Sequence, residues 1–287
     1  MPRAVEAEVY ALARNLWGVA YRRDGVLVMM SRYSARFDAS IGVAEHDNLA
    51  STWVCGFVAT LDAWDQFERD WALALARFNV PFFHMKEFVA HKKPFNEPRW
   101  KDNDYRAEFI ALLISIIHSN TLCSVGRGLW HANFDFVNEQ YDLSSVLNPY
   151  ALCGLECIQR AHRFVREDYS KSAAIDYVFE CGDDGWGLLQ KAATMRGFPE
   201  PICRPSRVLG CKTEAPPLIV LQATDLAAWE MRREACRVTG IIKGKKLRES
   251  FKALKKMECL WEHYLHASLV QFCEKENIGH RVNREAR

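Results

Sequence analysis

Residues 217–234 read PLIVLQATDLAAWEMRRE, four apolar positions followed by a helical pattern that carries Leu226, Ala227 and Trp229. Gln222 and Asp225 interrupt it three residues apart, a spacing that puts both on one face where the chain is helical. A carboxylate buried without compensation is costly. Any fold of this chain must therefore give Asp225 something to face.

The surrounding pattern is that of a mixed α/β domain. At 287 residues the chain can bury one elaborated core or two small ones, and it contains no repeat and no low-complexity linker. Residues 26–38 (VLVMMSRYSARFD) read as a strand ending at an acid, 41–48 as a polar connection, and 49–60 as a second strand, the two forming an antiparallel hairpin. Residues 61–80 form the clearest helix, with Asp62 placed to cap it and Trp64, Phe67, Trp71, Leu75 and Phe78 recurring at three- and four-residue spacings as core positions. Further helices are expected over 105–118, 151–168 and 186–196, strands over 121–131 and 172–185, and an irregular segment over 198–217. Strands alternate with helices after the opening hairpin, which points to an α/β fold. Residues 1–25 read as a peripheral extension, 26–240 as the main domain, and 241–287 as a basic, mainly helical C-terminal extension packing on it. Met29 and Met30 also allow a later natural start.

Charge and cysteines narrow the setting. The net charge is only +2, so nucleic-acid binding would have to come from a local patch. One candidate is the run Lys243, Lys245, Lys246, Lys252, Lys255 and Lys256, which is either a phosphate-contacting surface or a solvated helix face. Another is Lys92, Lys93, Arg99 and Lys101 around Phe95 and Trp100, a pattern shared by base-stacking, phosphate-tracking surfaces and by exposed lids. No run is long and apolar enough for a membrane span, and Glu6, Glu8 and Arg14 stand where a secretory signal would be apolar. The ten cysteines lack metal-site or Cys-x-x-Cys spacing, and Cys153 and Cys157 fit core positions. Reduced thiols in a cytoplasmic protein are the expectation.

Three acids share a context. Asp38 ends the first strand, Glu180 ends AIDYVFE, and Asp225 follows the apolar run. Strand ends along one edge are where an α/β fold places its site. Carboxylates gathered there repel unless a cation neutralises them, and such hard oxygen ligands suit Mg²⁺ or Mn²⁺. Two such ions can activate a water and stabilise a leaving oxygen in phosphodiester cleavage. Each acid also has an ordinary reading: a turn residue, a solvated strand end, a helix cap. Glu230, five residues beyond Asp225, is expected on another face of the helix and solvated.

The segments FDAS (37–40), WVCGFVAT with WDQFERDW, FFHMKEF, FECGDDG and LQATDLAAWEMRRE, in this order from about Tyr33 to about Glu234, resemble the mostly bacterial domain of unknown function 3800 family. The resemblance implies a ribonuclease-H-like fold, a mixed sheet with antiparallel opening strands flanked by helices. It also implies that Asp38, Glu180 and Asp225 match the family's acidic positions and His84 its histidine motif. The family's activity is itself largely inferred from its fold, and fold does not settle function. Two positions depart from the family pattern. Ala39 stands where Glu is commoner and Thr224 where Ala is usual, and Asp183 or Asp184 could supply the missing carboxylate, Asp183 being nearer the strand end.

The expectation is therefore a divalent-metal-dependent nuclease. Asp38, Glu180, Asp225 and Asp183 would hold Mg²⁺ or Mn²⁺, with His84, oriented by Glu87, as proton shuttle or phosphate contact. Gln222 would contact substrate or hold the Asp225 segment, and Lys92 and Lys93 would lie on the substrate side. Two alternatives stand beside it: a non-catalytic nucleic-acid- or protein-binding module with a decayed site, and a hydrolase of small phosphoesters.

Overall fold

Tyr33–Gly42, strand β1, alternates along YSARFDAS, so Tyr33, Ala35 and Phe37 go to one face and Ser34, Arg36, Asp38 and Ser40 to the other. The computed structural model describes residues 33–42, 50–169, 171, 173–206 and 218–280. The expectations for residues 1–25, for the strand before Tyr33, and for 43–48 and 207–217 lie outside the described residues.

Strand β2 (Ser51–Thr60) pairs antiparallel with β1 from Tyr33↔Thr60 to Gly42↔Ser51, which is the expected hairpin. Strand β3 (Cys123–Trp130) continues antiparallel on β2, while β4 (Ile175–Glu180) runs parallel to β1 on its other side. A short β5 (Ile202–Arg204) pairs with β4, and β6 (Cys259–Tyr264) pairs with β3, both parallel. The order is β5-β4-β1-β2-β3-β6, so β1 is interior and buried on both faces.

One face of the sheet is covered by α1 (Leu61–Arg77), α2 (Met85–Val89), α3 (Asn103–Asn120), α7 (Leu221–Val238) and α8 (Glu249–Leu254), which share one core with Trp53 and Phe57 of β2. The other is covered by α4 (His131–Gln140), α5 (Pro149–Asp168), α6 (Trp186–Met195) and α9 (His266–Lys275), packed on Tyr33, Ala35 and Phe37. This is the mixed α/β sheet with an antiparallel opening and flanking helices that was expected. Trp64 and Trp71 are fully buried, as the spacing predicts.

Several boundaries move. Thr60 caps α1, its Oγ1 accepting from Ala63 N at 3.3 Å, and Asp62 lies inside the first turn. β1 does not end at Asp38, because Ala39 to Gly42 still pair with Val54 to Ser51 of β2. Asp225 is not at a strand end: the segment expected as an apolar run is a turn that leads into α7, and Asp225 sits in that helix. Residue 240 is no domain boundary, since β6 from the supposed helical extension completes the sheet on β3. The reduced-thiol expectation fails for one pair: Cys181 and Cys203 form a disulfide, the β4–β5 register having brought their Cα atoms to 5.1 Å. Cys153 and Cys157 are buried thiols, as expected. Among the described residues no helix is long and apolar enough to cross a membrane.

The sheet closes tightly at Gly128, where an added Cβ would lie 1.9 Å from the buried Trp53 ring. Gly128→Ala is expected to lower unfolding free energy in urea by about 1–3 kcal/mol through overpacking. Gly187→Ala, in open space on α6, is expected to leave it unchanged or raise it by up to ~1 kcal/mol.

Candidate active site

The polar stripe of β1 is buried, so each side chain needs a partner. Ser34 Oγ donates to Asp176 at 3.0 Å, Arg36 Nη1 donates to Glu68 at 3.0 Å, and Ser40 Oγ accepts from Arg232 Nε at 3.1 Å. Asp38 differs. It is 8% exposed, and its one hydrogen bond among the described residues comes from its neighbour's amide, Ala39 N, at 2.7 Å. Burial, then Glu180, Asp225 and Asp183, push its carboxyl well above the usual range.

The register explains the first of these neighbours. Pairing of β1 with β4 ends at Phe37↔Phe179, whose rings lie 4.8 Å apart on the α5 side of the sheet. The next residue of each strand, Asp38 and Glu180, falls on the opposite face by the pleat. The Glu180 carboxylate accepts a short hydrogen bond from Ser206 Oγ. Asp183 follows in a turn opened by Gly182 at φ +121°, and its carboxyl is pushed up to about 7 by burial, then by Glu180 and Asp184. The buried Tyr150 hydroxyl at the start of α5 is pushed upward by burial and by Asp183, Asp38 and Glu180.

From α7, Gln222 and Asp225 face the same way, as their spacing predicts. Asp225 Oδ2 accepts from Met85 N at 2.6 Å, and Oδ1 lies 3.8 Å from His84 Nε2. Its carboxyl is pushed up to about 6 by burial, against the pull of His84 and the Met85 amide. His84 stands in extended backbone just before α2, with Nδ1 in a short contact to the Glu87 carboxylate. Glu87 thus orients the ring and leaves Nε2 toward Asp225.

The other expected site residues are placed differently. Gln222 is 2% exposed and three bonds hold its amide: Oε1 accepts from Phe83 N at 2.8 Å and Trp71 Nε1 at 3.2 Å, and Nε2 donates to Ser206 O at 3.2 Å. It holds the 83–85 segment and Ser206 in place, the supporting role that was one of its two expected ones. Lys92 and Lys93 are exposed in the loop after α2, but the aromatic residues beside them, Phe95 and Trp100, are fully buried and provide no stacking surface. Glu230 is not solvated: it is 1% exposed and bound by Arg248 Nε at 3.0 and 3.1 Å. Ser206, Tyr150 and Arg232 were not anticipated. For Arg232 the signal was available, since it lies seven residues from Asp225, two helical turns along one face.

Compared with family models, curated proteins and solved structures, the chain gave no significant match. Among the described residues no group of three or more His, Cys, Asp or Glu side chains stands ready-formed around a metal position. What the geometry provides is a crowded set of hard oxygen donors, half-buried or buried, with no lysine or arginine bonded to the Asp38 carboxylate among the described residues.

Crowding has a pH signature. Asp183 and Asp225 titrate near 7 and 6 in the folded chain and near 4 when unfolded. Between about pH 4 and 7 the folded state therefore holds protons that the unfolded state has lost, and stability falls as pH rises through that window. Asp183→Asn in EDTA is expected to melt increasingly above wild type from pH ~5 to ~8, by about 2–4 °C at the upper end. A difference independent of pH contradicts the crowding.

Proposed function

We propose that this chain is a divalent-metal-dependent phosphodiesterase acting on nucleic acid. The observation that carries the reading is Asp38: a buried carboxylate on the central strand, facing Glu180, Asp225 and Asp183, with no lysine or arginine bonded to it among the described residues. A cation is the partner such a cluster calls for. Mg²⁺ or Mn²⁺ bound there would polarise a phosphoryl oxygen and lower the pKa of a bound water.

The chain's own residues divide the remaining work. Asp38 and Asp225 enter from opposite layers, sheet and helix, with Glu180 and Asp183 beside them. The Met85 amide fixes one Asp225 oxygen, leaving Oδ1 turned toward His84 and the site. His84 is placed to take or give a proton at Nε2, its Nδ1 being held by Glu87. Ser206 orients Glu180. The resemblance to the domain of unknown function 3800 family supports Asp38, Glu180, Asp225 and His84.

Ala39, the position of the commoner family Glu, packs with the core on the α5 side of β1. A carboxylate there would point away from Asp38. The substitution therefore removes no acid from the cluster, which weakens the reading of a decayed, non-catalytic site.

The test is cleavage of labelled single- and double-stranded RNA and DNA with Mn²⁺, Mg²⁺ or EDTA. Wild type is expected to cut only with metal, and Asp38→Asn and Asp225→Asn to be inactive though folded. His84→Ala is expected to lose about 100-fold or more, and Glu87→Gln about 10-fold. Cutting that survives EDTA or Asp38→Asn overturns the proposal. Hydrolysis of a mononucleotide ester with no polymer cleavage replaces it with the small-phosphoester reading.

A further inference from the structure

Beyond Asp225, α7 continues into a basic surface whose charges are not all internally balanced. Arg232, seven residues on, donates to Ser40, itself two residues from Asp38 along β1. Among the described residues its side-chain partner is that neutral hydroxyl, and no carboxylate lies in ion-pair range of its guanidinium. Arg233 then lines a cavity of about 260 Å³ between α7 and the 241–251 segment, together with Lys245 and Lys246.

Two carboxylates line the same cavity, and both are already occupied. Glu230 is held by Arg248 and by Ser250 Oγ at 2.5 Å, and Glu234 is held by Arg237 through two contacts of 2.7 Å. Arg233, Lys245 and Lys246 have no carboxylate in ion-pair range among the described residues. Trp229 sits between two guanidiniums, with Arg233 at 5.3 Å and Arg248 at 5.0 Å from its ring, which limits their freedom. Arg248 also lines a second cavity, of about 690 Å³, with Arg106, Lys252 and Lys256.

The basic run seen in the sequence is thereby sorted. Only Glu249–Leu254 is helical. Lys252 is bound to Glu249 and Lys255 covers the Trp261 ring, whereas Lys245 and Lys246 remain exposed. Asp225 and Arg233 are eight residues apart on one helix, about 12 Å along its axis. Cations spread outward from the acid cluster suit a linear polyanion better than a single small anion.

We infer that Arg232, Arg233, Lys245 and Lys246 form the track that holds the sugar-phosphate backbone of a nucleic-acid strand leading to the Asp38–Asp225 cluster. The identity of the polyanion as substrate rests on the proposed nuclease function.

The test measures binding apart from cleavage. Labelled single-stranded RNA and DNA oligonucleotides are titrated in EDTA, over a salt series, by fluorescence anisotropy. Arg233→Glu/Lys245→Glu/Lys246→Glu is expected to bind at least 10-fold more weakly than wild type, its salt slope reduced by about 2, as loss of three single-strand phosphate contacts requires. The milder Lys245→Gln/Lys246→Gln, confined to exposed side chains, is expected to weaken binding in the same direction and guards against a folding defect. Lys171→Glu/Lys191→Glu/Lys275→Glu, which makes the same charge change at exposed sites elsewhere, is expected to bind like wild type. Equal affinity in the tract variants overturns the inference while leaving cleavage to be judged on its own. Binding through the tract without any metal-dependent cutting sustains it and removes the nuclease reading. Stronger competition by poly-glutamate than by unlabelled oligonucleotide overturns it in favour of an acidic protein partner.

Discussion

The site depends on one register. Parallel pairing of β1 with β4 stops at Phe37↔Phe179, and the next residue of each strand is an acid turned to the same face. Glu180 is thereby set beside a buried Asp38 whose environment is otherwise short of hydrogen-bond donors. With β1 held by β2, a slip of β4 by one residue would send Glu180 to the Tyr33–Phe37 face and leave Asp38 without it. The tilted contact of the Phe37 and Phe179 rings opposes such a slip, so the packing that stabilises one face of the sheet also fixes the electrostatics of the other.

The helix side is held as firmly. Gln222 bonds the Phe83 amide, the Trp71 indole and the Ser206 carbonyl, joining α1, the 83–85 segment and the bend that follows β5. Asp225 then takes the Met85 amide. Trp71 and Phe83 belong to a buried aromatic cluster with Phe88, Phe95, Trp100 and Phe109. A rigid apolar layer therefore carries a polar edge, and little reorganisation remains available to relieve the carboxylate repulsion.

Much of this was legible in the residues. The 61–80 periodicity, the hairpin and the face shared by Gln222 and Asp225 follow from local spacing. The rest depended on tertiary pairing. Asp38 looked like a strand end because FDAS turns polar, but a polar stripe can continue in an interior strand when Ser34, Arg36 and Ser40 each find a partner across the layer. For Gln222 the sequence left a substrate contact and a supporting role side by side, because its three bonds reach residues up to 151 positions away. Glu230 was read as solvated because its partner Arg248 arrives from beyond the helix. β6 and the Cys181–Cys203 pair are products of sheet order, to which no local pattern points.

The central claim is that the Asp38 cluster is completed by a cation. Calorimetric titration of Mn²⁺ into the apo protein at about pH 7.5 tests it most directly, with Asp38→Asn and Asp225→Asn alongside. Saturable binding in wild type, with protons released and affinity lost in both variants, is the expected result, because ligand carboxylates held partly protonated must give up those protons to the metal. No binding in wild type, or equal binding in all three proteins, would contradict it.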